Sequence, residues 1–240
     1  MLIDAAIASA SERITERVDD VRATYTPGAV PRFDDVATAQ SMSRFDPDPL
    51  RAAPPEGAYF ITHDGRGRTA YTRDGSFGVR DGALVGEDGR AVFGFATEHA
   101  PLGALKLDPV DVALDRVHDV HLERDGALVY TRDAIEPRSG TRERERVTVG
   151  YLALARFPAA TKLGSVDANH FVAPPGDVPH VGRPGDGAFA FIAPMRREAS
   201  RVDLDASLIH LKDAYLALDA LHAAQTARMG INKTAMDLLK

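Results

Sequence analysis

The sequence contains no cysteine and no tryptophan. Without thiols the chain cannot form disulfides, use a thiolate nucleophile or bind zinc or iron–sulfur clusters through cysteine. Without tryptophan, and with only six tyrosines, it is poorly supplied with the aromatic platforms on which sugars stack. These absences count against thiol chemistry, cysteine-based metal sites and glycan recognition.

An excess of basic charge and long apolar runs are also missing. The 29 Lys and Arg residues are outnumbered by 35 Asp and Glu residues, which gives a net charge of −6, so we expect no nucleic-acid partner. No eighteen consecutive residues are free of charge, which predicts no membrane insertion. Asp4 stands where a secretory signal needs a basic cluster, and Glu12 and Arg13 soon interrupt the apolar stretch, so we expect no such signal.

An amphipathic helix is predicted at the start of the chain. Its apolar positions follow the alternating four- and three-residue steps of a coiled-coil seam, with Arg17 as a misfit, and are Ile3, Ile7, Ala10, Ile14 and Val21. Pro27 and Gly28 then disfavour further helix, so it should end by about Ala23.

A second helix with the same rhythm is predicted at the other end. Ser200 is a candidate N-cap, with Asp203 three residues later. The seam positions that follow are Leu204, Leu208, Leu211, Tyr215, Leu218, His222, Gln225, Met229, Asn232, Met236 and Leu239. Because an isolated amphipathic helix leaves its apolar stripe in water, we expect the two terminal helices to pack together or against other copies of the chain.

The centre of the chain has the punctuation of an antiparallel β domain. Five Asp-Gly pairs, which suit tight hairpin turns, separate short aromatic and β-branched runs and lie at Asp64, Asp74, Asp81, Asp88 and Asp125. Proline-rich residues 33–56 are interpreted as a linker, and residues 172–187 as a surface loop.

The predicted fold class is therefore mainly β with terminal α-helices. We expect an antiparallel β-rich central domain and a discontinuous, coiled-coil-like terminal domain. The predicted divisions are an N-terminal helix and linker at 1–45, the β-rich domain at 46–197 and the C-terminal helix at 198–240.

Candidate catalytic or metal-binding groups are weak. His118 and His121 are three residues apart, which on a regular strand directs them to opposite faces. His210 and Asp213 form an ordinary i,i+3 pair on a predicted helix, and the glycines and apolar residues between Asp81 and Asp88 do not fit a calcium loop. We therefore predict no catalytic, cofactor-binding or metal-binding residue, no cofactor and no small-molecule substrate.

One central segment resembles the signature of the flagellar basal-body rod and hook protein family. The matching residues, which the resemblance predicts to form a hairpin, are Tyr71, Thr72, Arg73, Asp74, Gly75, Ser76 and Phe77. As in that family, two further glycine turns follow, at residues 81–85 and 88–94.

Both ends of the chain resemble the same family. Asp19-Asp20-Val21 and Thr26-Pro27-Gly28 are similar to its Asn-Asn-Leu-Ala-Asn element and the Thr-Pro-Gly turn that follows the first helix. Residues 198–204 are similar to its Glu-x-Ser-Asn-Val-Asp motif before the last helix. Aspartates replace the paired asparagines, and Arg201 replaces the asparagine of the second motif.

The resemblance implies a non-enzymatic subunit of the flagellar rod. Such a subunit is exported by the flagellar type III apparatus and assembles helically in the basal body, outside the inner membrane, with copies of itself and with other rod and hook proteins. Its assembly contacts would come from the terminal helices, at Ile3, Ile7, Ile14, Leu204, Leu208, Leu211, Tyr215 and Leu218. Three alternatives remain open: a diverged relative that no longer polymerises, an extracytoplasmic β-rich binding module, and an enzyme.

Overall fold

A computed structural model describes residues 2–29, 43–135, 142–159, 161–200, 202 and 204–237. Over these residues the chain forms helices α1, α2 and α3 at Leu2–Ala23, Pro109–Ala113 and Leu204–Asp237. The strands are β1 Ser43–Phe45, β2 Ala52–Ala53, β3 Ala58–His63, β4 Thr69–Thr72, β5 Phe77–Arg80, β6 Ala83–Gly86, β7 Ala91–Phe95, β8 Leu102–Ala104, β9 Val117–Leu122, β10 Ala127–Ile135, β11 Arg142–Leu152, β12 Leu154–Arg156, β13 Gly164–Ser165, β14 His170–Val172, β15 His180–Gly182, β16 Ala193–Pro194 and β17 Arg196–Glu198. The protein is mostly β with a helix near each end of the chain, as the sequence predicts.

The described residues fall into two compact units. The helical unit contains those up to Tyr25 and those from Ser200 onward, and the β unit contains Thr26–Ala29 and the residues from Ser43 to Ala199. The divisions predicted from the sequence lie after residues 45 and 197 instead. The difference arises because β1 pairs with β17 inside the β unit and because the turn after α1 belongs to that unit.

The β unit is organised around one large antiparallel sheet. Its main path runs β13-β14-β4-β3-β7-β11-β10-β9, and β5, β6, β8, β12 and β15 pair alongside that path. Its main core consists of aliphatic and aromatic side chains from these strands, including Phe60, Leu84, Val92, Leu128, Tyr130, Leu152 and Leu154. Removing these apolar surfaces from water is the main force that stabilises the sheet.

Four of the five central Asp-Gly pairs form hairpin turns, as predicted. They connect β3 to β4, β5 to β6, β6 to β7 and β9 to β10, and each of these strand pairs is antiparallel. The exception is Asp74-Gly75, which lies between β4 and β5.

Two regions interpreted as irregular contain strands. Residues 43–56 of the predicted linker include β1 and β2, which pair with β17 and β16, whereas residues 33–42 lie outside the described part of the chain. The predicted loop at 172–187 contains β15, which pairs with β12. The amino-acid composition does not indicate these strands, because each has only two or three residues among prolines and glycines.

In the helical unit, α1 packs antiparallel to α3. The amide nitrogen of the Gln225 side chain donates to Asp4 Oδ1 over 3.1 Å, and the Ser200 hydroxyl donates to the carbonyl of Ala23 over 2.9 Å. These bonds link the start of α1 to the second half of α3, and the end of α1 to the residues before α3. The predicted capping partner Asp203 and the motif residue Arg201 lie outside the described residues. No helix in the described part of the chain is both long and apolar enough to cross a membrane.

A buried carboxylate attaches the short helix α2 to the sheet. The Tyr130 hydroxyl donates to Asp111 Oδ2 over 2.6 Å, and Arg132 Nη1 lies 3.2 Å from the same oxygen. The Tyr130 bond, helped by Arg132, lowers the pKa of Asp111. Burial, together with the neighbouring carboxylate, raises the pKa of Tyr130 to about 12.

Replacing Tyr130 with phenylalanine should destabilise the β unit at neutral pH. Tyr130→Phe removes one donor from buried Asp111, so we expect a loss of about 1–3 kcal/mol in the free energy of unfolding. Because the pKa of Asp111 is lower in the folded than in the unfolded state, its contribution is present above its unfolded value of about 4. It is lost as the pH falls through the folded value.

Urea denaturation at pH 7 and at acid pH measures this difference. The gap between wild type and Tyr130→Phe should shrink on acidification, and Tyr25→Phe, at an exposed tyrosine, should show no gap at either pH. A gap that stays constant down to acid pH would mean that the Asp111 carboxylate does not stabilise α2 in this way.

Candidate functional site: the motif junction and the helix faces

The Tyr71–Phe77 segment is not a hairpin, contrary to the prediction. It ends β4 and begins β5, but β4 pairs with β3 and β14, whereas β5 pairs with β6. Asp74 Oδ1 accepts the backbone N–H of Ser76 over 2.9 Å, and the backbone carbonyl of Gly75 accepts the N–H of Ala52 over 3.1 Å. The segment therefore turns a corner and pairs with β2 instead of folding back on itself.

A fully buried ion pair holds this corner to the last strand of the β unit. Arg73 is 1% exposed and Glu198, in β17, is 0% exposed. Arg73 Nε lies 2.8 Å from each carboxylate oxygen of Glu198, and Arg73 Nη2 lies 2.7 Å from Oε2. Arg73 Nη1 donates to the carbonyl of Ala58 over 2.6 Å. The guanidinium thus has acceptors on several sides, which is what a buried charge requires.

Two glycines allow the backbone to approach this pair closely. A Cβ on Gly75 would overlap the carbonyl oxygen of Ala52. Gly28, at φ +69°, also lies against the corner, and a Cβ there would be 2.8 Å from the carbonyl carbon of Arg73. Substitution at Gly28 is therefore opposed both by space and by backbone conformation.

Three separate motifs of the resemblance thus meet at one place. The Thr26-Pro27-Gly28 turn, the Tyr71–Phe77 segment and the Glu198 motif contribute to what we call the motif junction, defined as Gly28, Arg73, Asp74, Gly75 and Glu198. Asp74 Oδ2 also accepts the Asn169 side-chain amide over 2.9 Å. Because Arg73 and Glu198 are buried against each other, their charges hold backbone segments together and are not exposed to solvent.

The predicted seam of α1 agrees with the structure. Ile3, Ile7, Ala10, Ile14 and Val21 are buried or half-buried. Arg17, the misfit, is on the same side of the helix, with its guanidinium 3.6 Å from buried Asp20. An arginine fits there because its aliphatic stem packs while its charge is paired.

The predicted seam of α3 is only half right. Leu204, Leu211 and Leu218 are half-buried, but Leu208 and Tyr215 are exposed. The buried and half-buried positions that alternate by three and four residues are Leu204, Ser207, Leu211, Ala214, Leu218, Leu221 and Gln225. Ser207 and Ala214, which have small side chains, take buried and half-buried positions on α3, while the larger Leu208 and Tyr215 face outward.

An uncovered apolar stripe runs along α3 as a result. We define the α3 stripe as Leu208, Ile209, Tyr215 and Leu216, which are 46%, 59%, 49% and 56% exposed. Their spacing of one and seven residues places them on one side of the helix. Met229, 61% exposed, continues it 14 residues beyond Tyr215, and α3 extends past Gln225, the residue that bonds to Asp4 near the start of α1.

The histidine candidates each have separate partners. His118 Nε2 lies 3.4 Å from Asp133 Oδ2, whereas His121 Nδ1 lies 2.7 Å from the carbonyl oxygen of Asp119. A bulge at Asp119, which has φ +50°, breaks the regular alternation assumed for these two histidines. No group of three or more potential metal ligands is assembled within the described residues.

Comparison of the chain with known sequences and families finds no match. No protein-family model matches the chain, and no curated protein matches it. The residues that combine at the junction and on the helix faces therefore have to support any functional conclusion.

The pairing of Arg73 with Glu198 was not predicted, although both residues lie in motifs of the resemblance. No local signal marks it, because Arg73 is followed by Asp74 and Glu198 is preceded by Arg196 and Arg197, so each charge already has a neighbour of opposite sign in the sequence. We predict that Glu198→Leu and Arg73→Met each destabilise the β unit by about 3–5 kcal/mol, because each leaves one charge buried alone or its acceptors unpaired.

The double variant Arg73→Met/Glu198→Leu should lose clearly less than the sum of the two single losses. Chemical denaturation of the four proteins closes this thermodynamic cycle. Arg68→Met removes the exposed Arg68–Asp64 pair and serves as the matched control, with an expected loss below about 1 kcal/mol. Additive single losses would show that the two charges are not coupled.

Proposed function

We propose that this protein is a non-enzymatic structural subunit of the bacterial flagellar basal-body rod, exported by the flagellar type III apparatus and assembled helically through its terminal helices. The observation that carries the proposal is the α3 stripe. Helix α3 packs against α1 and still exposes four large apolar side chains at seven-residue spacing. Such a surface is suited to contact with another helix.

The meeting of three motifs at the motif junction supports the family assignment within this proposal. Short sequence similarities are weak evidence for a family when they are independent of one another. Here the residues that resemble the family at positions 28, 73–75 and 198 contact one another, so one physical requirement accounts for all three. The same arrangement supports an architecture in which a β body and terminal helices are parts of one subunit.

The size of the α3 stripe favours a polymer over a simple dimer. Fully burying a large apolar side chain is worth about 1.5–3 kcal/mol, and the four residues are about half-exposed, so covering them yields roughly 3–6 kcal/mol. Association of two proteins costs about 4–15 kcal/mol in lost freedom of motion. The free energy gained from one such contact therefore barely offsets the cost of association. A subunit that touches several neighbours in a helical lattice makes several contacts but loses its freedom of motion only once.

We predict that Leu216→Asp prevents assembly without unfolding the helical unit. Leu216 is in the uncovered stripe, so a carboxylate there should cost little in the monomer but should oppose burial between subunits. Leu211→Asp, in the seam with α1, should prevent assembly and also disrupt the helix pair, while the β unit remains folded. Ala217→Asp, at an exposed position of α3 that is turned about 100° away from Leu216 around the helix, is the matched control and should assemble as wild type does.

Sedimentation and electron microscopy of the purified chain at increasing concentration measure assembly, and amide hydrogen exchange measures the pairing of α1 with α3. Wild type should form filaments only above a threshold concentration. If Leu216→Asp assembles at the wild-type threshold, the α3 stripe is not the polymer contact. If deletion of the gene leaves basal-body rods intact in its host, the rod function itself is wrong.

A further inference from the structure

A groove on the β unit, lined by none of the motif junction residues, has the composition of a peptide-binding surface. It has a volume of ≈ 370 Å³, and its lining consists of Ser43, Ala53, Pro54, Pro55, Glu56, Phe191 and Ala193. The Phe191 side chain is 52% exposed. Phe45, 69% exposed, is two residues after Ser43 in β1 and therefore on the same side of that strand. The groove and the strand beside it thus present Pro55 and two aromatic rings to solvent.

Two arginines without acidic partners border this groove. The Arg124 guanidinium lies 5.4 Å from the centre of the Phe191 ring. Arg196 donates from Nε to the Ser43 hydroxyl over 2.9 Å and from Nη2 to the Ser43 carbonyl over 2.8 Å. Arg51, Arg73 and Arg90 each lie within 4 Å of a carboxylate, whereas no carboxylate of the described residues lies that close to Arg124 or Arg196. In a chain with net charge −6, two such arginines at one groove are unexpected.

We propose that the groove binds an extended, proline-containing acidic segment of a partner protein. Prolines and aromatic rings recognise extended polyproline-type segments because such segments need no regular backbone pairing. The partner's apolar side chains and prolines would lie on Phe191 and Pro55. Its carboxylates would accept hydrogen bonds from the guanidinium groups of Arg124 and Arg196, which form strong charge-assisted bonds with carboxylates.

The charge pattern favours a peptide over a uniformly anionic polymer. Glu56 lines the same groove and has no basic group of the described residues within ion-pair distance. A nucleic acid or sulfated glycan, with a charge on every unit, would place an anion against Glu56. A peptide in which carboxylates are separated by prolines and leucines can contact both arginines and leave Glu56 opposite an uncharged residue.

The test uses the full chain and a fluorescein-labelled peptide of three Pro-Leu-Glu repeats, followed by fluorescence anisotropy at low ionic strength. The same peptide with lysine at every glutamate is the control probe. We expect binding of the acidic peptide only, weakened about tenfold or more by Arg124→Ala, since one charge-assisted hydrogen bond is worth about 1.5–3 kcal/mol. Phe191→Ala should also weaken binding.

Glu56→Gln should strengthen binding of the acidic peptide, because it removes a repulsive charge. This effect is opposite in direction to that of Arg124→Ala and therefore discriminates best. Arg66→Ala, at an exposed arginine of the β3–β4 turn, is the matched control and should bind as wild type does. Circular dichroism and thermal melting of each variant separate lost binding from lost folding. Arg124→Lys, which keeps the charge but not the planar fork, should recover only part of the affinity.

Three results would overturn the proposal. The lysine peptide binding as tightly as the acidic one would show that the arginines do not select carboxylates. Heparin displacing the peptide, with an affinity that Glu56→Gln leaves unchanged, would indicate a general anion-binding surface. Self-association that Arg124→Ala abolishes would identify a second copy of this chain as the occupant. None of these results depends on assembly through the α3 stripe, because Leu216→Asp can be used as the background.

Discussion

The buried pair of Arg73 and Glu198 is the interaction on which the arrangement of the β unit depends. Two charges removed from water cost several kcal/mol each unless each finds its partners in the protein. The carboxylate of Glu198 accepts from Nε and Nη2 of Arg73, and a backbone carbonyl accepts from Nη1. The chain can satisfy both charges only if β17, its last strand, returns to the corner between β4 and β5, so a contact across 125 residues fixes the closure of the β unit.

The glycines and the departure from a hairpin follow from that closure. For the Arg73 side chain to reach Glu198, the backbone after β4 has to turn away from β3 and pass close to β2. This approach leaves no space for a side chain at Gly75. Gly28 packs against the same corner. A hairpin at Asp74-Gly75 would have paired β4 with β5, whereas here β4 pairs with β3 and β14 and β5 pairs with β6.

Local sequence patterns predicted the helices and hairpins. Contacts between distant parts of the chain determined the features that these patterns did not predict. Alternating apolar steps predicted both terminal helices, and Asp-Gly pairs predicted four hairpins, because these signals act within a few residues. The predicted seam of α3 failed at Leu208 and Tyr215, since the heptad pattern was assigned by side-chain size, whereas the small Ser207 and Ala214 take the buried and half-buried positions. The pairing of Arg73 with Glu198, and the groove beside Phe191, depend on which distant strands meet, and no local pattern carries that information.

The error in the α3 seam and the proposed assembly have the same physical origin. If Leu208 and Tyr215 had faced α1, the helix pair would have buried most of its apolar surface within one subunit and would have had little to offer another. Because Ser207 and Ala214 take the buried and half-buried positions instead, Leu208, Ile209, Tyr215 and Leu216 stay exposed. The β unit buries the pair of Arg73 and Glu198, whereas the helical unit exposes part of its apolar surface, so the proposed association with further subunits acts through the helices.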